Sequence, residues 1–146
     1  MYKRQGKQSN TVTVPVAASS PGLFTATSNG LGSAAILHPD FTLVSASNPA
    51  RRGEIVQIYL TGLGPVTPAI TAGTAAPTNP LSLVPGPLAV YINGVSATIT
   101  FQGLAPTLVA LYQINVVVPA TVASGTLPLA VQTADGFTDE AAIVVQ

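Results

Sequence analysis

The run Leu111-Tyr112-Gln113-Ile114-Asn115-Val116-Val117-Val118-Pro119 constrains the fold more than any other part of the chain. Tyr112, Ile114, Val116 and Val118 recur at a period of two with Gln113 and Asn115 between them, which predicts a strand with one buried face, closed by a proline. Such a strand has to press its apolar face against a second layer. The same alternation returns in Val56, Ile58 and Leu60 against Gln57, Tyr59 and Thr61, and in Leu88, Val90 and Ile92. It appears again in Val95, Ala97, Ile99 and Phe101, with Ser96, Thr98, Thr100 and Gln102 on the other side, and in Leu127, Leu129 and Val131. Asn93-Gly94 predicts a tight hairpin, and Asp135-Gly136 predicts a turn that returns the chain as Ala141-Ala142-Ile143-Val144-Val145. Strands spaced at roughly 8 to 15 residues, with turn residues between them and no capped helical pattern, point to an all-β, immunoglobulin-like antiparallel β-sandwich.

The first third of the chain is expected to form an N-terminal β-arm. Thr11–Ala18 alternates Val12, Val14 and Val16 toward a core, with Pro15 on the other face, where its missing N–H suits an edge strand. Ser20-Pro21-Gly22 turns into Leu23-Phe24-Thr25, and His38-Pro39-Asp40 separates Ala34–Leu37 from Phe41–Val44 as a small hairpin. From Gly62 to Pro87 the chain holds six prolines and no clear period, which predicts a long extended connection serving as a functional loop or a covering strap. Met1-Tyr2-Lys3-Arg4-Gln5 carries two of the five basic residues and the single methionine. Residues 1–10 are therefore set aside as an adapter-like, disordered segment joined to a reading frame expected to begin further upstream. That leaves one domain over residues 11–146, with the arm at 11–47 and an Ig-like core at 53–146.

Composition narrows the function. Hydrophobic residues make up 47% of the chain and charged ones 7%, so folding depends on apolar burial and not on ion pairs. The net charge is zero and no basic stripe exists, which excludes the phosphate neutralisation that nucleic-acid binding needs. Without cysteine there is no disulfide framework and no thiolate zinc site. Apolar runs are broken every few residues by Gln, Asn, Thr or Pro, so no transmembrane helix is expected.

Candidate sites are few. His38 is the single histidine, so a Ser-His-Asp triad would have to combine it with Asp40, Asp135 or Asp139. No serine stands in a Gly-x-Ser-x-Gly elbow, and a solvated turn residue is the simpler reading of His38. Asp135, Asp139 and Glu140 gather hard oxygen ligands near a bend and are calcium candidates, although their spacing is not that of an EF-hand and Asp-Gly serves a hairpin turn in any case. Arg51-Arg52 suggests an anion clamp or a pairing with Glu54, but adjacent strand residues face opposite ways. The ladder Ser96, Thr98, Thr100, Gln102 offers hydrogen bonds to a sugar or a neighbouring domain, as does any solvated sheet face. Tyr59, Tyr91 and Tyr112 can stack on a sugar ring or pack at the rim of the core. No catalytic residue and no cofactor is expected.

Ser20-Pro21-Gly22-Leu23-Phe24-Thr25, Asn48-Pro49-Ala50-Arg51-Arg52-Gly53-Glu54, Ile58-Tyr59-Leu60-Thr61-Gly62-Leu63-Gly64, Phe101-Gln102-Gly103-Leu104-Ala105-Pro106 and Leu111–Pro119 occur in this order. Together they resemble the Solibacter uncharacterised C-terminal domain family, and the part from Glu54 onward is similar to Ig-like domains of the IPT/TIG type. The resemblance implies a non-catalytic module at the C-terminus of a larger secreted or cell-surface bacterial protein, with a structural, adhesive or attachment role. A carbohydrate- or calcium-assisted binding module is the alternative. The partners implied are neighbouring domains of the same polypeptide and a cell-surface glycan or protein.

Overall fold

The computed structural model describes every residue other than Met1, Tyr2 and Gln5. The segment 1–10 set aside in the sequence thus lies partly outside the described residues. Within it, β1 (Lys3–Arg4) pairs antiparallel with β2 (Lys7–Gln8) as a ribbon separate from the main sheet.

The main sheet is all antiparallel and has eight strands. They are β3 (Gly22–Leu23), β4 (Ile36–Leu37), β5 (Ile55–Thr61), β6 (Leu88–Ile92), β7 (Val95–Leu104), β8 (Tyr112–Val117), β9 (Gly125–Thr133) and β10 (Thr138–Val145). Their order is β10-β9-β6-β7-β8-β5-β3, with β4 also on β5. Among the described residues there is no helix, and so none long and apolar enough to cross a membrane.

Two layers arise because β7 serves both. Its first part pairs with β6, Ile92 facing Val95 and Val90 facing Ala97. Its second part pairs with β8, from Thr98 opposite Val117 to Leu104 opposite Tyr112, with a register shift between Ile99 and Phe101. A bulge of this kind bends a strand and lets it turn a corner between packed sheets. The far edges then approach each other: Ala34 N–H donates to Ala142 O at 2.8 Å and Ala50 N–H to Val144 O at 2.9 Å, making parallel bridges along β10. The result is a nearly closed Ig-like sandwich.

The alternation read from the sequence fills the interior. Val56, Ile58 and Leu60 of β5 face Val116, Ile114 and Tyr112 of β8, and across the layers they meet Val90, Ile92, Leu129, Val131 and Ile143. Each fully buried Ile or Leu contributes about 1.5–3 kcal/mol relative to an exposed one. Asn93 and Gly94 adopt the left-handed backbone that the β6–β7 hairpin requires.

Two expectations need correction. Thr11–Ala18 forms no strand, and Val12, Val14 and Val16 are 70, 70 and 92% exposed, so this segment does not contribute to the core. Alternation states only that a segment can pair, and here the edge of β10 is already met by Ala34 and Ala50. The second concerns Phe101 and Gln102. The bulge inserts Thr100 without a partner, so parity reverses beyond it. Phe101 stands opposite Asn115 on the outer face, whereas Gln102 stands opposite the buried Ile114, and its amide donates to Val84 O at 2.9 Å and Gly86 O at 2.8 Å.

The long connection from Gly62 to Pro87 is partly built into the sheet. Leu83 bridges Gly103 on one side and Thr67 on the other. Gly62 and Gly64, both at positive φ, let the N-terminal segment cross closely: a Cβ on Gly62 would lie 1.8 Å from Ser20 O.

Candidate functional site

One of several open concave surfaces lies on the outer face of β4, β5 and β8. Strand parity puts Gln57 and Tyr59 of β5 there, opposite Asn115 and Gln113 of β8, for the same reason that Val56, Ile58 and Leu60 point inward. Leu37 of β4 stands beside Gln57. The turn His38–Thr42 and the loop 105–111 rise on either side, and the groove between them, of about 750 Å³, is lined by Leu37, Phe41, Gln57, Tyr59, Leu108 and Gln113 among others. That volume falls in the range of about 300–1,000 Å³ typical of ligand sites.

Both rims are held stiffly. In the first, Phe41 N–H donates to His38 O at 2.9 Å and His38 N–H to Thr42 O at 2.9 Å. Asp40 accepts from the Thr42 N–H at 3.0 Å and its hydroxyl at 2.7 Å, and these bonds hold the Asp40 carboxyl below its usual pKa. This turn keeps Phe41 in a left-handed backbone (φ 65°), and the residue is 70% exposed. In the second rim Thr107 (φ 68°) and Ala110 (φ 56°) are also left-handed. Ala76, from the long connection, clamps that loop: it donates to Leu108 O and accepts from Thr107 N–H, each at 2.8 Å. Non-glycine residues in this region cost about 1–3 kcal/mol each and persist where surrounding contacts over-determine them, which happens often at binding sites.

The groove is mainly apolar, and the polar groups on its floor are uncharged. Tyr59 O–H donates to Gln57 Oε1 at 2.8 Å, and Gln113 Nε2 donates to Asn115 Oδ1 at 2.7 Å. Each amide thus spends one group internally and keeps others for solvent or a ligand. Burial pushes the Tyr59 phenol above its ordinary pKa, so it stays a neutral hydroxyl.

His38 is a structural residue of the first rim, and this corrects the expectation of a solvated turn residue. It is only 7% exposed; Nδ1 lies 2.7 Å from Glu54 Oε1 and Nε2 lies 3.1 Å from Asn48 O. Burial opposes the charged ring, but the Glu54 hydrogen bond, the Asn48 carbonyl and the nearby carboxylates of Glu54 and Asp40 outweigh it and raise the pKa. Two acceptors at the two nitrogens fit the doubly protonated imidazole, which leaves no lone pair to serve as a base.

The other sequence candidates are placed as follows. Asp135 accepts from Ser19 N–H at 2.9 Å and Ser19 O–H at 2.8 Å, and Asp139 accepts from Leu23 N–H at 2.6 Å. Both carboxylates tie the N-terminal segment to the β9–β10 hairpin, while Glu140, next to Asp139 along β10, is exposed. Among the described residues no three His, Cys, Asp or Glu side chains gather as a metal site. Glu54 receives the Arg51 backbone N–H at 2.8 Å, whereas the Arg52 guanidinium reaches Val122 O at 2.7 Å and Ser124 Oγ at 2.8 Å, so the two arginines form no joint clamp. Ser96, Thr98 and Thr100 are exposed and Gln102 is turned inward, which breaks the supposed ladder. Of the tyrosines, Tyr59 reaches the groove, Tyr91 lies beside Ser96 on the other layer, and Tyr112 donates to Gly64 O. Sequence reasoning missed Phe41, Leu108, Gln57 and Gln113. Alternation marked the two glutamines as outward-facing, but nothing local singled out the rims.

No family model and no curated protein matches the chain. Among solved structures it is similar to the Bacteroides ovatus mixed-linkage glucan utilization locus (MLGUL) SGBP-B in complex with mixed-linkage heptasaccharide, with 19% identity and a TM-score of 0.42 over 72% of this chain and 21% of that one. The chain therefore spans about a fifth of the length of that structure.

Proposed function

We propose that the chain is a non-catalytic β-sandwich module of a larger exported or cell-surface bacterial protein, and that it attaches its parent to a surface through the outer-face groove. The observation that carries this reading is the groove itself: stiff rims, an exposed aromatic ring and an uncharged floor, an arrangement suited to holding a ligand and lacking an activated nucleophile or base. The resemblance to the Solibacter C-terminal domain family supports its placement at the end of a larger protein. The engagement of His38 with Glu54 and Asn48 supports a role without chemistry. Carbohydrate as the ligand is a further step, favoured by the groove's combination of rings and amides. Calcium has no part in the reading, because Asp135 and Asp139 already hold the N-terminal segment.

The test is retention of the full chain on insoluble bacterial cell-wall material and on cellulose, compared with a Phe41→Ala/Leu108→Ser double variant. Retention reduced tenfold or more in the variant, with no soluble product released, is expected. No retention on either material, retention unaffected by the double substitution, or turnover lost on His38→Ala would each overturn it.

A further inference from the structure

Resting on the attachment reading, we infer that the groove between the His38–Thr42 turn and the 105–111 loop is a subsite for a neutral polysaccharide chain. Phe41 supplies the stacking surface, and Gln57 and Gln113 supply the hydrogen bonds.

Charge makes the first selection. No carboxylate, ammonium or guanidinium lines the groove, so it offers no counter-charge to a phosphate, a uronate or a sulfate, and an acidic or basic ligand would lose hydration without compensation. Hydrogen-bonding capacity makes the second. A sugar hydroxyl both donates and accepts, and a side-chain amide does the same through its NH₂ and its carbonyl. Gln57 and Gln113 lie on neighbouring strands, diagonal to each other across the β5–β8 ladder; each has one group already fixed by Tyr59 or Asn115, and both residues line the groove. A purely apolar partner would bury those groups unpaired.

Shape and stiffness make the third. The Phe41 backbone is held at the rim by a turn hydrogen-bonded at His38, Asp40, Phe41 and Thr42, and His38 is itself tied to Glu54. A residue whose backbone is already fixed has only side-chain freedom to lose on stacking against a pyranose face, so more of the contact energy appears as affinity. The groove is open to solvent and is not a closed pocket fitted to a free monosaccharide.

A peptide fits less well. Recognition of an extended peptide by strand addition needs a free sheet edge, and the floor strands have none: β5 is flanked by β8 and by β3 and β4, and β8 by β5 and β7. The backbone beneath the groove is fully engaged in the ladder, so only side chains are offered.

The experiment is isothermal titration of the full chain with cello-, xylo-, manno- and malto-hexaose and with polygalacturonate, together with displacement of the chain from cell-wall material by the same sugars. At least one neutral hexaose is expected to bind with a sub-millimolar Kd. Phe41→Ala should weaken it tenfold or more, and Gln113→Ala severalfold, while Tyr59→Phe, which keeps the ring, should have a smaller effect. Unchanged thermal melting of the variants separates loss of the site from loss of the fold. If the groove variants abolish retention on cell-wall material but no neutral sugar binds or competes, the ligand is a protein, and this inference fails while the attachment reading stands. If polygalacturonate alone binds, the inference fails on charge. If retention never depended on the groove, both fail together.

Discussion

On the ladder between β5 and β8, neighbouring residues have opposite tasks. Val56 with Val116 and Ile58 with Ile114 close the core, while Gln57, Tyr59 and Gln113, one residue along, form the floor of an open groove. The inner face is specified by its own strands, since any residue there meets a second apolar layer. The outer face acquires its character from elsewhere: from a turn of the N-terminal arm, from the 105–111 loop, and from Ala76 of the long connection that clamps this loop. Backbone geometry sorts side chains into two sets, and non-local packing decides what the outward set becomes.

Substitution of neighbours on one strand should expose the contrast most strongly. Ile58→Ala is expected to destabilise by about 2–5 kcal/mol, because it opens a cavity in a layer with no room to collapse. Tyr59→Ala, next to it, should cost less, about 1–2 kcal/mol, through lost partial burial of the ring and the hydrogen bond to Gln57. Urea denaturation of both variants decides the matter. Equal costs would mean that the outer face is a second core, and the comparison would fail.

Gly62→Ala tests whether the end of β5 depends on the N-terminal segment crossing it. The left-handed backbone alone should cost about 1–3 kcal/mol. The clash with Ser20 O adds to this and should lift residues 18–21 off the sheet, which faster limited proteolysis there would show. Wild-type stability and proteolysis would show that the crossing is incidental.

A smaller effect, about 1 kcal/mol each, is expected for Asp135→Asn and Asp139→Asn, since each weakens charge-assisted bonds to the same segment. Millimolar calcium should leave the melting temperature of the wild-type chain unchanged. A calcium-dependent rise abolished by either substitution would return these carboxylates to the metal role their spacing first suggested.

The sequence showed the inner face nearly residue by residue. Tyr112, Ile114 and Val116, the Val56-Ile58-Leu60 series and the Asn93-Gly94 hairpin all stand where a period of two and turn chemistry put them. It was unreliable where one residue changes parity or where a partner is needed. Thr100 carries no mark of a bulge, yet it sends Phe101 outward and Gln102 inward. Val12, Val14 and Val16 alternate as well as any strand in the chain and have no neighbour to pair with. The groove became visible only when Phe41, Leu108 and the two glutamines, far apart in sequence, met around one surface.

The gentlest test concerns the anchor of the first rim. The His38 pKa is raised in the folded chain above the ordinary value of about 6.5. The stabilisation from its pairing with Glu54 is therefore complete below the unfolded value and disappears as pH rises through the folded one. Folding stability measured by urea denaturation should fall modestly from pH 6 to pH 9, and His38→Gln should flatten the slope. Glu54 and Asp40 are the charged groups bearing on the ring. Neutral His38 gives up one of its two hydrogen bonds, so affinity in the groove should weaken along with stability if that turn positions Phe41. If stability falls with pH while affinity does not, the rim is held by its backbone bonds and by Asp40 alone. A rise in stability across this range would mean that His38 is buried neutral and that its contact with Glu54 works in the opposite sense.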